Sequence, residues 1–90
     1  MTPIQDNTAL SRYELDTGGA PAVLVYRIAD GVMALTHTET PVQARGQGIA
    51  SRLVEHALAD ARTRGLKIAP RCPFVRAYMD RHPELADLLA

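Results

Sequence analysis

Cys72, His37 and Glu39 are the residues with which this chain could do covalent or proton-transfer chemistry. A thiol beside an imidazole can be held as the thiolate, the form that attacks a carbonyl carbon. His37 precedes Glu39 by two positions in a strand-like stretch, so the two share a face. The carboxylate could then act as a general base for an amine, directly or through a water. Cys72 falls just past the end of one expected strand, and His37 and Glu39 fall near the end of another. Ligands of open α/β sheets collect at such strand ends. The plain alternatives are a buried small hydrophobe for Cys72 and an ordinary packed or surface position for His37. His56 lies on the polar side of a helix and His82 precedes Pro83, which fits solvation and capping better than catalysis.

A second chemical feature is the stretch TPVQARGQGIASRL, where Gly46 and Gly48 flank Gln47 beside Arg45. It lies between a strand and an apolar-periodic segment, so the glycines sit at a helix start. Backbone N–H groups are free there and the helix dipole is positive. Glycine lets a ligand approach the backbone, and Arg45 adds a cation, so the loop suits a phosphate or pyrophosphate. A turn that merely needs unusual backbone angles is the plain alternative. Gly-Lys-Ser/Thr is absent, as are the third glycine and distant acid of a dinucleotide loop.

The elements that must position these residues follow from periodicity. Tyr13 and Leu15 alternate with Arg12, Glu14 and Asp16, a short strand with one wet face over 11–16. PAVLVYRIAD is nearly continuous in β-prone residues, and Asp30-Gly31 joins it to VMALTHTET as a tight hairpin. Ile49, Ala50, Leu53, Val54, Ala57, Leu58 and Ala61 recur at helical steps, predicting a helix over roughly 48–64 that Gly65 ends. LKIAPRC reads as a strand, and the crossover makes it parallel to the strand before the helix. A short helix over about 74–81 and a last helical turn over 84–89 opened by Pro83 complete the chain. The fold class is therefore α/β (α+β). A three-stranded antiparallel meander leads through a helix crossover to a parallel strand and C-terminal helices. Residues 1–10 are expected to fray and 11–90 to form one domain.

The totals exclude several functions. Ten basic and ten acidic residues balance, and there is no Trp and one Phe, so neither a phosphate-wrapping nor a base-stacking nucleic-acid binder is expected. One Cys and three scattered His give no metal-ligand spacing. MTPIQDNTALSR lacks a secretory pattern and no apolar run nears the ~18 residues of a membrane span, so the expectation is a soluble, cytoplasmic protein.

Gln43-Ala44-Arg45-Gly46-Gln47-Gly48, in its strand–loop–helix–strand context, resembles the Gln/Arg-x-x-Gly-x-Gly/Ala signature of the GNAT superfamily of N-acetyltransferases. HTETP before the loop and CPFVRAYMDRHPE after the next strand are similar to small, stand-alone members. The resemblance covers roughly residues 22–82. It implies acetyl-CoA as cosubstrate, with Gln43 to Gly48 holding its pyrophosphate and Ile49 and Ala50 extending the cradle. Thr38, Thr40 and Val42 would lie along the pantetheine arm through their backbone. The strand before the loop would be central and LKIAPR its splayed neighbour. It also implies Tyr78 as proton donor to the CoA sulfur, although His82-Pro83 stands where the family has Gly-Phe. Cys72 would lie near the thioester, as nucleophile or as neighbour. DTGGAP replaces the helices that shape the acceptor site in longer members. An amine acceptor of unknown identity is implied, and a CoA-binding or protein-interaction module with little turnover is the alternative.

Overall fold

The computed structural model describes residues 3–90. Five strands form one sheet in the order of the chain: β1 (Gln5–Asn7), β2 (Arg12–Leu15), β3 (Ala22–Ala29), β4 (Val32–Glu39) and β5 (Lys67–Pro70). The first four are antiparallel and β5 runs parallel to β4. Helix α1 (Ile49–Thr63) makes the crossover between them, and α2 (Pro73–Asp80) follows β5. Two 3-10 turns, Val42–Ala44 and Pro83–Leu88, lie on either side of this unit.

The β3–β4 hairpin turns on Asp30 and Gly31, both at positive φ (54° and 78°), the backbone that matches strand twist. The helical stripe packs as its spacing requires. Ile49, Leu53, Val54, Ala57, Leu58 and Ala61 are buried against the sheet face that carries Tyr13, Leu24, Met33, Leu35 and Ile68. Val75 and Met79 of α2 join this core, and no polar side chain is buried in it among the described residues. Among the described residues, no helix covers the opposite sheet face.

Within the expected flexible segment 1–10, Gln5–Asn7 pair with β2 and add a fourth antiparallel strand that the periodicity did not mark. Met1 and Thr2 lie outside the described residues. This strand lacks an apolar alternation and is held by polar contacts. Tyr26 donates its hydroxyl to Asp6 Oδ1 at 2.6 Å, and Asn7 Nδ2 donates to Glu14 Oε2 at 3.1 Å.

One irregularity in the sheet decides what faces what. The β3–β4 register runs Tyr26↔Leu35 and then Val25↔His37, so Thr36 is an extra residue, a β-bulge. Side-chain parity along β4 inverts there. Leu35 and Thr38, three residues apart, both share the helix-side face of Tyr26 and Leu24, while His37 and Glu39 pass to the open face with Val25 and Val23.

Candidate functional site

The β4–β5 ladder ends at Leu35↔Pro70, although β4 continues to Glu39. The carbonyl of Leu35 accepts the last bonds, from Arg71 N–H at 3.1 Å and Cys72 N–H at 2.9 Å. Beyond that point the chain after β5 turns into α2 and the two strands part. Thr36 to Glu39 therefore have no strand partner on that side.

A cleft of about 340 Å³ opens at the parting, lined by Thr38, Thr40, Ala44, Arg45, Gly46, Gly48, Ile49 and Ala50, with Ser51 and Phe74. At one end stands the start of α1. Gly46 and Gly48 have φ of +81° and +71°, and a Cβ on either would meet no atom within 4 Å. The space over these backbone groups is thus open to a ligand. Gly48 caps α1 with no side-chain hydrogen bond, which leaves the amides of the first turn to bind an anion. Arg45 Nε donates to the Thr40 carbonyl at 3.2 Å and folds the loop onto the end of β4.

Near the parting lies Cys72, buried, at the N-cap of α2. Its Sγ is 3.7 Å from Thr38 Oγ1. Burial acts to raise the thiol. The Val75 amide, the Thr38 hydroxyl and the amides of Phe74 and Thr38 outweigh it, so the group sits below the ordinary cysteine value. Such a set of converging donors stabilises a thiolate or an oxyanion.

The sequence-predicted residues separate into groups. Eight of the cradle candidates line the cleft: Thr38, Thr40, Ala44, Arg45, Gly46, Gly48, Ile49 and Ala50. Gln43 and Gln47 instead line a depression on the far side of the loop, with Asp16, Thr17 and Gly18. Gln43 packs there over Gly19. Val42 is exposed on the 3-10 turn and does not line the cleft.

His37 and Cys72 are not brought together. The bulge at Thr36 turns His37 to the open face, while Cys72 shares the helix-side parity of Ile68, so no contact joins them among the described residues. His37 and Glu39 do meet, Nε2 to Oε2 at 3.6 Å, both exposed. Tyr78 turns elsewhere. It stacks on His82 with ring centroids 4.3 Å apart and lines a separate groove with Glu55 and Leu85. Burial, with Glu55 and Glu84 nearby, raises its hydroxyl pKa, which keeps the group protonated. Ser51 and Phe74 escaped the sequence reading. Ser51 follows the glycine loop by one helical turn and Phe74 follows Cys72 by two residues, and those spacings were the available signals.

The described residues contain no cluster of metal-ligating side chains and no helix long and apolar enough to cross a membrane. The sequence model of the GCN5-related N-acetyl-transferase family matches residues 12–88. No curated protein matches the chain. Among solved structures, the NMR solution structure of a GCN5-like protein from Staphylococcus aureus is similar, with a TM-score of 0.72 and 21% identity. The similarity covers 99% of this chain and 88% of that one. At that identity the likeness concerns the fold.

Proposed function

Because the chain belongs to the GCN5-related N-acetyltransferase family, we propose that it binds acetyl-CoA in the cleft between β4 and the start of α1 and transfers the acetyl group to an amine. The observation that carries this reading is the position of the cleft. It joins an open amide cradle at Gly46 and Gly48 to the gap where β4 and β5 part. The residues fit the cosubstrate chemically. The amides at the α1 N-terminus and Arg45 suit its pyrophosphate. Thr38, Thr40 and Phe74 suit a pantetheine arm, with amide-accepting backbone along β4 and an apolar wall from α2.

Acetyl-CoA supplies an activated thioester. This chain's residues contribute position and charge stabilisation. The Thr38 amide and the α2 N-terminus present donors at the parting, where negative charge develops in acyl transfer. Cys72 lies among these donors. His37 and Glu39 face the other side of the sheet, from which an amine could reach the gap and give up its proton. This arrangement favours direct transfer, with Cys72 as neighbour of the thioester. The lowered thiol supports a second reading, in which Cys72 carries the acetyl group transiently. Titration calorimetry with acetyl-CoA and CoA tests the binding half, and mass spectrometry of acetylated amine products tests the transfer half. Binding without any product would leave a CoA-binding module.

A further inference from the structure

The open face of the sheet holds a feature that acetyl-CoA does not use. A depression of about 800 Å³ lies there, within the range of small-molecule sites. Its floor is small and apolar, built from Val25, Val32, Ala34 and Ala69, with Arg27 and Arg71 at its sides and Asp30 and Ala90 also on its lining. Arg27, Ala34 and Ala69 are in register across three strands, and Arg71 lies two residues beyond Ala69, just past the end of β5. Strand spacing and rise put the two arginine Cα atoms about 12 Å apart. No ion-pair partner holds either guanidinium among the described residues. Arg71 follows Pro70, the partner of Leu35; its N–H bonds the Leu35 carbonyl at 3.1 Å and it lines the depression together with Thr36. The cation therefore neighbours the parting of the strands on the same face as the His37–Glu39 pair.

Resting on the acetyltransferase reading, we propose that the acceptor is a small primary amine bearing a carboxylate, an amino acid or a short peptide carboxylate. It occupies this depression with its carboxylate on Arg71 and its amine toward His37 and Glu39. Arginine presents a planar fork of donors that matches a carboxylate and stays charged at every working pH. Charge complementarity argues for this occupant, since two arginines against the one carboxylate side chain, Asp30, stand over an apolar floor, and Arg71 is the cation nearer the reaction gap. In the transfer, the neutral amine nitrogen forms a bond to the acetyl carbon and the carbon–sulfur bond of acetyl-CoA breaks. The nitrogen's proton passes to His37 and on to solvent, and the CoA thiolate leaves and takes up a proton, giving the amide and free CoA.

The test compares L-alanine with its amide as acceptors, using the full chain and acetyl-CoA and quantifying acetylated product by mass spectrometry. Alanine is expected to show at least about tenfold higher kcat/KM than the amide, with the difference in KM. Arg71→Gln is expected to bring the ratio near one while acetyl-CoA affinity by calorimetry stays unchanged. A ratio near one in the wild type, or a ratio that survives Arg71→Gln, overturns the proposal and leaves the acetyltransferase reading intact. So does acetylation confined to amines of folded proteins, which would point to a protein partner. Failure to bind acetyl-CoA removes the acetyltransferase reading itself.

Discussion

Thr38 Oγ1 lies 3.7 Å from Cys72 Sγ although 34 positions separate the two residues in the chain. Two features produce that approach. The bulge at Thr36 turns Thr38 to the helix side, and the end of the β4–β5 ladder leaves its amide without a strand partner. Hydroxyl and amide then converge on one sulfur, at the gap where the proposed thioester would lie.

The first prediction concerns that sulfur. Its value is lowered, so thiolate should form at a pH below that of a free cysteine. The associated stability is present above the ordinary cysteine value and is lost as pH falls through the folded-state value. Cys72 is the single cysteine, so ultraviolet absorbance of the thiolate reports it alone. Thr38→Val removes the hydroxyl and should move the midpoint upward. An unchanged midpoint would mean that Thr38 does not act on Cys72.

The second prediction concerns the cradle. Gly46→Val and Gly48→Val place a branched side chain at positive φ and into open space. Strain should lower stability by about 1–2 kcal/mol, and acetyl-CoA affinity should fall at least about tenfold in calorimetry. Arg27→Ala, distant from the loop, should leave that affinity unchanged. Equal affinity in the glycine variants would argue that the two glycines only turn the chain.

The glycine loop at the start of α1 was legible in the sequence because two glycines stand between a strand and a periodic helix, and the meander, crossover and hairpin followed from side-chain periodicity. The bulge was not legible. Nothing in Leu35-Thr36-His37 marks an extra residue, and a one-residue slip exchanges the faces of everything after it. Hence His37 was paired with Cys72 on strand-end position alone, and the sheet set them on opposite faces. β1 was missed because Gln5–Asn7 is fixed by Tyr26 and Glu14 through polar contacts that have no periodicity. Tyr78 was assigned by helix position, and its stacking on His82, four residues on, accompanies a 2.7 Å contact between His82 Nδ1 and the Tyr78 carbonyl.

The third prediction concerns the sheet–helix junction. Tyr13 donates its hydroxyl to Asp60 Oδ2 at 2.5 Å, and Arg64 bridges that carboxylate at 3.2 Å. Burial and the bond to Asp60 raise Tyr13, and burial with the bond to Asp6 pushes Tyr26 up to about 12. A raised folded-state value contributes stability that is full below about pH 10 and lost as pH climbs through the folded values. Chemical denaturation should therefore show stability falling between pH 10 and 12. Tyr13→Phe should lower neutral-pH stability by about 1–2 kcal/mol and flatten that decline.

The fourth prediction separates the two routes for the acetyl group. With direct transfer, intact-protein mass spectrometry after mixing with acetyl-CoA shows no adduct on Cys72, and Cys72→Ala retains measurable turnover. An acetyl adduct that disappears in Cys72→Ala, together with loss of all turnover, would establish the covalent route instead.

The most direct test of the account is a structure of the chain bound to CoA. The prediction is that the pyrophosphate lies on the amides at Gly46 to Ala50 and the sulfur lies in the gap between β4 and Cys72, beside Thr38. A pyrophosphate or sulfur located elsewhere on the molecule, or no binding at millimolar CoA, would contradict it.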